Sequence, residues 1–450
     1  MRLRSFRGGV HPPQAKEATC GKPIVDLPLP ARVVIPLTQH LGAPNEPVVA
    51  VGDTVRVGQK IGDTGAFVAA PVHASISGKV AAIEPRPLAA GGTSTCVVIE
   101  RDGDELLPEL KPLGQIERLE PAEIRRAMRD AGLIGMGGAG FPTHVKFAPP
   151  EGKRIEAVIL NAAECEPFLT CDDRLLCEET GLVVAGLMAM LRAAGAERGY
   201  IGIEENKPAA VSALEAEIER VKAPIQVAVF PVKYPQGEER MLIKGILGRE
   251  VPSGGLPVDV GAVVNNVATA AALARFLTTG MPLTSRVLTV AGRVAEPKNV
   301  RVRLGTLLAD VVEFCGGLRG DPGRMIYGGP MTGPAGYRLD VPVTKTMSGL
   351  LVQGRDEAAA VPAGVCIRCG RCLEACPYRL VPTTLAAFAE RGLYDRAVAL
   401  GLMDCRECGS CTYACPGRRH IVQTIKEAKA AVAARQKKQA AKDQEVKSRA

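Results

Sequence analysis

Two short runs near the C-terminus, "CIRCGRCLEACP" and "CRECGSCTYACP", constrain this chain more than any other feature. Both read C-x2-C-x2-C-x3-C-P. In that rhythm three thiolates on a tight loop cap three irons of a cubane, and the fourth cysteine, leaving at the start of a helix, ligates the other cluster. The spacing assigns Cys366, Cys369, Cys372 and Cys415 to one [4Fe–4S] cluster, and Cys405, Cys408, Cys411 and Cys376 to a second. A zinc site does not call for this rhythm twice over, each time followed by proline. The 28 residues between the runs include "TTLAAFAERGLYDRAVALG", which has a helical pattern, and two joined helices would bring the runs together.

Eight of the fourteen cysteines are thereby used. Cys165, Cys171 and Cys177 fit no local thiolate loop and read as core or surface thiols, like the isolated Cys20, Cys96 and Cys315. No apolar run follows the basic residues of "MRLRSFRGGVHPPQAK", so no export signal is expected. With clustered cysteines, that points to a reducing cytoplasm and ligation rather than disulfides. The stretches "GLVVAGLMAMLRAAGA" and "VGAVVNNVATAAALARFL" are interrupted by Arg192, and by Asn265, Asn266 and Arg275. Neither gives the roughly 20 apolar residues of a membrane span.

Net charge excludes another class. The formal charge is +8, but residues 426–450 carry eight Lys or Arg against three Asp or Glu, which leaves about +3 for the body. There is no Trp, and aromatics make up 4%. A nucleic-acid partner is not expected.

Ahead of the cysteines the pattern changes three times. Residues 31–85 read as short strands and turns, with "VVAVGDTVRVGQKIGD" and "APVHASISGKVAAI" in the style of a lipoyl/biotinyl barrel-sandwich domain but without a Met-Lys-Met carrier turn. "PRPLAAGG" and "ELKPLGQ" then read as linkers. Residues 121–280 alternate helix and strand: "PAEIRRAMRDAGL" and "SALEAEIERVK" as amphipathic helices, "EAVILNAA" and "VAVFPV" as buried strands. From 285 to about 345 the chain suggests a β-grasp-like unit, and the Ala/Lys/Gln-rich tail after Lys426 reads as a frayed helix or a disordered end.

"GLIGMGGAGFPTHVKF" contains Gly135, Gly137 and Gly140 as G-x-G-x-x-G. A dinucleotide fingerprint must follow a strand and open a helix. Here a helical segment precedes, Pro142 follows, and the next strong element is a strand, so the order is wrong for that fold.

The stretch does not stand alone. "GMGGAGFPTHVKF", "NAAECEP", "YPQGEER" and "VNNVAT" resemble, in the same chain order, motifs of the flavoprotein subunit that oxidises NADH in respiratory complex I. Over residues 5–420 the chain is similar to the C-subunit family of the Rnf complex, a membrane-bound ferredoxin:NAD oxidoreductase. "FRGGVHPP", "PLTQHLGAP", "HASISGKV", "AECEPFLTCDDRLL" and "YPQGEERMLIKGILGREVPSGGLP" carry that likeness. Cobalamin-reductase relatives share the flavin-like region and the clusters and are not expected to open with "FRGGVHPP".

The resemblance implies two [4Fe–4S] clusters, non-covalent FMN, and NAD(H) as substrate. Gly135, Gly137, Gly138 and Gly140 would let the backbone approach the flavin and its phosphate, Lys146 would neutralise phosphate charge, and Phe141 would stack on the nicotinamide nucleotide. Asn161, Glu164 and Glu166 would hold the isoalloxazine edge and the dinucleotide. Tyr234, Gly237, Glu238 and Glu239 would close the other side, while Asn265, Asn266 and Thr269 would bind the ribityl phosphate. Glu166 and Glu239 are the expected catalytic carboxylates. The chain has Ala163 where complex I carries Asp, and "VPSGGLPVD" in place of an aromatic-basic nucleotide clamp.

The expected fold is multidomain α/β and α+β. It comprises a barrel-sandwich-like domain (1–118), an α/β FMN/NAD(H)-binding domain (119–282), an SLBB-like β-grasp domain (283–358), a helical two-cluster ferredoxin-type domain (359–425) and a basic tail (426–450). The expected setting is the cytoplasmic side of the cell membrane, peripheral, bound to the other Rnf subunits and through them to ferredoxin. Two rivals stand beside it: a cluster-bearing relay subunit without flavin, and an NADH-dependent cobalamin reductase.

Overall fold

The valines and isoleucines of the N-terminal region alternate because they face one another across two small sheets. A computed structural model of the protein describes residues 5–103, 110–358 and 362–449. In it, strands Arg32–Pro36, Thr93–Glu100, Gly78–Pro87 and Thr54–Val55 form one antiparallel sheet, and Glu46–Pro47, Lys60–Asp63 and Val72–His73 a second. Val33, Ile35, Ile61, Val72, Val97 and Ile99 are buried between them. "PRPLAAGG" is not a linker. Pro85 and Pro87 pair with Thr95 and Thr93, and residues 88–92 are the turn of a hairpin. Proline is tolerated there because the partner on the other side, Thr54–Val55, reaches only Gly78 and Lys79, leaving the strand's far end an edge.

Residues 121–280 form a parallel four-stranded sheet in the order Ile225–Phe230, Arg198–Glu204, Ala157–Ala162, Ala262–Asn266. Helices cover both faces. Pro121–Asp130, Thr180–Ala194, Pro208–Val221 and Val267–Thr279 bury the larger core with Val158, Leu160 and Ile201. Glu239–Leu247 buries Leu242 and Ile243 against Ile159, Phe230 and Val264 on the other. The strands' carboxyl ends deliver Asn161, the 163–170 loop, the 231–238 loop and Asn266 to one edge, where open α/β sheets form crevices.

The β-grasp-like unit is a six-stranded mixed sheet around the helix Leu308–Phe314. Its edge strand, Ile24–Asp26, comes from the N-terminal segment and pairs in parallel with Lys298–Arg303. The segment before the barrel therefore belongs to other parts of the molecule. Thr19, Thr170, Thr289 and Asn299 meet there in a buried, mutually hydrogen-bonded group. Three units also meet at Lys345, whose Nζ donates to Pro71 O and Gly132 O, both at 2.7 Å. Burial pushes its ammonium down to about 7.

The two cysteine runs are joined by helices Pro382–Glu390 and Tyr394–Ala399. The basic tail continues a single helix, Ile421–Arg449, which buries Ile421, Ile425, Ala428 and Val432 against Leu385 and Leu402. Its first turns are core, and the helix runs without a break through position 425.

One close approach decides the packing of the α/β unit. Helices Thr180–Ala194 and Val267–Thr279 touch at Gly186, where an added Cβ would stand 2.0 Å from Ala270 O. Because the obstacle is backbone, Gly186→Val should cost about 1–3 kcal/mol or more through forced separation of the helices, read as a lowered thermal midpoint with the iron content of the surviving fold unchanged.

Candidate functional site

The two cysteine loops repeat one backbone conformation. Gly370 and Gly409 open short helices at φ +79° and +80°. Arg368 and Glu407 (φ +55°, +56°) and Arg379 and Arg418 (φ +55°, +50°) occupy matching positions. Left-handed backbone at non-glycine residues is uncommon, and its recurrence at equivalent places fits loops curled around a ligand. The thiols gather in two groups. Burial pushes Cys411 up to about 12, with Cys405, Cys408 and Cys376 near enough to add to the shift. Burial likewise raises Cys372, with Cys415 and Cys366 as its thiol neighbours. Soft sulfur donors in two such groups, with Cys369 on the same loop as Cys366 and Cys372, suit iron–sulfur ligation.

The groups differ in setting. Cys366 and Cys369 lie exposed on a loop with Val365 and Ile367, which are 83% and 65% exposed. Cys408 instead lines a cavity of about 500 Å³ at the carboxyl edge of the parallel sheet. Tyr234 joins the two parts, its hydroxyl donating to Cys408 O at 2.7 Å.

Of the residues singled out in the sequence, Gly137, Gly138, Asn161, Glu164, Glu166, Tyr234, Gly237, Glu238 and Asn266 line this cavity. Gly135, Gly140, Phe141, Lys146, Glu239, Asn265 and Thr269 do not. Several of these shape the wall from behind. Thr269 Oγ1 accepts from Met136 N (3.1 Å) and donates to Ile134 O (2.9 Å), pinning the glycine loop to the helix Val267–Thr279. Gly135 N donates to Phe141 O, and Gly140 N to Gly135 O, so the loop closes on itself. The N–H groups of Gly137, Gly138 and Ala139 stay outside that set. Lys146 is turned inward, donating to Val264 O at 2.8 Å, and burial lowers its pKa against the pull of Glu239. Asn265 is buried with neither side-chain polar atom bonded, and Glu239 is half-buried at the start of its helix.

The acidic residues have structural partners. Glu164 (φ +44°) accepts from Asp172 N and Asp173 N, at the start of the helix Cys171–Glu178. Asn266 donates to Asp172 Oδ2 at 2.6 Å and caps the helix after it. Glu166 accepts from Met331 N and Thr332 Oγ1, and burial holds its carboxyl above the usual range. Glu238 caps Glu239–Leu247 through Arg240 N and Met241 N. Burial raises it to about 7 although Tyr378 and these N–H groups favour the charged form.

Sequence reasoning missed much of the wall. The β-grasp-like unit contributes Tyr327, Gly328, Gly329 and Thr332, the barrel hairpin contributes Ala89 and Ala90, and the second cysteine loop contributes Arg406. At Gly329 an added Cβ would stand 2.4 Å from the Glu166 carboxylate, so only glycine fits. Lys16 and Lys207 lie beneath the acidic loop and bond its carbonyls. No local pattern marks any of these, because each is brought in from another unit or is a lone lysine.

The cavity fits a flavin mononucleotide. Its volume lies in the range of cofactor sites, roughly 300–1,000 Å³. Above Gly138 (φ +119°) there is open space, and the N–H groups of Gly137, Gly138 and Ala139, outside the loop's own hydrogen bonds, suit a phosphate.

Glu238 supplies a pH test. A carboxyl raised to about 7 from its ordinary 4.5 makes the folded state bind a proton that the unfolded state has released, so its contribution to stability falls as pH rises from 4.5 to 7. Glu238→Gln mimics the protonated form. Its thermal midpoint relative to wild type should therefore be higher at pH 8 than at pH 5.5, in parallel unfolding scans.

Comparison with known proteins matches each unit to a described family: the RnfC barrel sandwich hybrid domain over residues 4–104, the Nuo51 FMN-binding domain over 128–275, the SLBB domain over 287–335 and the 4Fe–4S dicluster domain over 365–418. The chain is 48% identical to the C subunit of the proton-translocating ferredoxin:NAD(+) oxidoreductase complex of Clostridium ljungdahlii, covering 94% of this chain and 93% of that one. It is 44% identical to the C subunit of the Na(+)-translocating complex of Acetobacterium woodii (96% and 98%), and 39% identical to that of the ion-translocating oxidoreductase complex of Rhodobacter capsulatus (96% and 84%). A chain of an NAD+-reducing [NiFe]-hydrogenase in the H2-reduced state shares the fold at a TM-score of 0.50 and 23% identity, over 71% of this chain and 65% of its own. The chain belongs to the C-subunit family of the Rnf ion-translocating ferredoxin:NAD+ oxidoreductase complexes.

Proposed function

We propose that this chain is the NAD(H)-facing electron-transfer subunit of an Rnf complex, with FMN in the 500 Å³ cavity and clusters on the two cysteine loops. NADH gives up two electrons as hydride whereas a [4Fe–4S] cluster accepts one, and a flavin supplies the conversion between them. The carrying observation is the composition of one wall: the glycine loop, the acidic loop and Cys408 face the same space. Gly137 and Gly138 admit the flavin and its phosphate at backbone distance. Asn161, held by its own donation to Gly237 O at 2.7 Å, meets the ring edge. Glu164 and Glu166 border the space left for the nicotinamide nucleotide, and Tyr234 seats the second cysteine loop beside it.

Lys146, Thr269 and Phe141 act from behind the wall: Thr269 fixes the glycine loop, and Lys146 ties the short helix after it to the strand Ala262–Asn266. The exposed Cys366–Cys369 loop is the part of the cluster-bearing unit open to a neighbouring subunit. Among the described residues no helix is long and apolar enough to cross a membrane. The proposed setting is peripheral, on the cytoplasmic face, held by other subunits of the complex, with ferredoxin reached through them.

The test is anaerobic purification of the chain, reconstitution of its iron and sulfide, assay of released flavin, and addition of NADH. One FMN per chain with rapid bleaching of its absorbance is expected. Full iron with no flavin after added FMN, and no response to NADH, would leave a relay subunit instead. Gly138→Val, which forces a β-branched residue to φ +119° and fills the open space above the loop, should weaken FMN binding by roughly tenfold or more while leaving iron content intact.

A further inference from the structure

The acidic loop "AECEPFL" is held in an improbable shape. Glu164 and Phe168 both have positive φ, +44° and +67°, and neither is glycine. Such backbone is costly and persists where the surroundings over-determine it. The determinant is an ammonium from outside the α/β unit. Lys16 Nζ donates to Glu164 O at 2.8 Å, to Glu166 O at 3.1 Å and to Leu169 O. Three carbonyls converging on three donors satisfy the group completely. The side chain is 8% exposed. The segment carrying it is laced to the same loop, Phe168 N donating to Gln14 O at 2.8 Å.

Lys16 is also a charge on the far side of the acidic loop from the cavity, where it lines a smaller pocket with Gln14, Cys165 and Glu204. It lowers the pKa of Glu166 and Glu204 against their burial, and acts with that burial to lower Lys207. Lys207 holds the loop at its other end, at Ala163 O (2.7 Å), but is neutralised locally by Glu204 at 3.7 Å. Lys16 has no such salt bridge among the described residues: its hydrogen-bond partners are carbonyls, and the Glu166 and Glu204 carboxylates feel its charge only across the loop, as an anionic occupant of the cavity would.

We propose that Lys16, in the N-terminal segment, is the positioning residue of the flavin site: it fixes the loop so that the Glu164 and Glu166 carboxylates border the cavity, and its buried charge favours the reduced, anionic state of the bound group. This rests on the reading of the cavity as an FMN site. It makes an active-site residue of a position that belongs to the barrel-sandwich family match, 4–104, and not to the FMN-domain match, 128–275.

The test compares Lys16→Met, Lys16→Gln and Lys16→Arg in the full-length, cluster-loaded protein. Iron content and the electron paramagnetic resonance of the clusters report an intact fold. Lys16→Met is expected to lower the midpoint potential of bound flavin and to raise KM for NADH more than it lowers kcat. Lys16→Gln, which keeps donors but no charge, should share the lower potential with a smaller change in KM. Lys16→Arg should return the potential toward wild type, although its larger head strains a tight slot. Folded Lys16→Met with wild-type flavin potential and wild-type KM would overturn the proposal. If Lys16→Met holds no flavin, Lys16→Gln and Lys16→Arg still decide the charge effect between them. If wild type itself holds no flavin, the FMN reading fails. Amide exchange across residues 163–169 then tests the positioning claim alone, since faster exchange in Lys16→Met supports it and unchanged exchange sinks it.

Discussion

One contact holds the cluster-bearing unit against the α/β unit: the seating of the two cysteine loops on Tyr234 and the N-terminal glycines. Apart from the Tyr234 hydroxyl it is backbone on backbone, and is correspondingly intolerant. Tyr234 donates to Cys408 O, Val10 and Tyr234 exchange main-chain bonds, and Gly9 N donates to Ala375 O at 2.8 Å. Gly8 and Gly9 make this possible. Both have φ +79°, and a Cβ on either would fall within 2.8 Å of Cys376 O or Tyr234 O. The paired glycines of "FRGGVHPP" are thus a spacer of minimum thickness between two modules.

Charge is handled in the same economical way around the cavity. Glu164, Glu166, Asp172 and Glu238 are withdrawn from water, and each is met by helix N–H groups, a hydroxyl or an amide rather than by a full counter-charge. Dipoles hold such groups in place without cancelling them, and burial raises Glu166, Asp172 and Glu238 against the pull of those donors. The site is pre-set by desolvation, and the Lys16 ammonium is spent on carbonyls.

What could be read from the sequence was what is local. The cysteine rhythm, the helix after Pro121, the strand "EAVILN" and the wrong order around the glycine loop all follow from neighbours a few residues apart. The β-grasp-like sheet was visible as a unit, but its edge strand Ile24–Asp26 was not, being three residues whose pairing lies far along the chain. Lys16 and Gly329 carry no periodicity, and only the folded chain sets them on Glu166. "PRPLAAGG" misled because two prolines argue against a strand, whereas here they sit where a strand has a single neighbour. The tail composition hid the fact that its first turns bury Ile425 and Val432.

The pairing of Ile24 with Asn299 has a consequence for how the molecule is made. Emerging from a ribosome, the N-terminal segment must wait until residue 299 is free before its edge position exists, and Gly9 must wait for Ala375. The barrel and the helices of the α/β unit close early on local contacts, while joining such distant segments carries a loop entropy that slows the step. The N-terminal segment is therefore a late closure, and the cysteine loops reach their seat on the α/β unit only when the chain is almost entirely made.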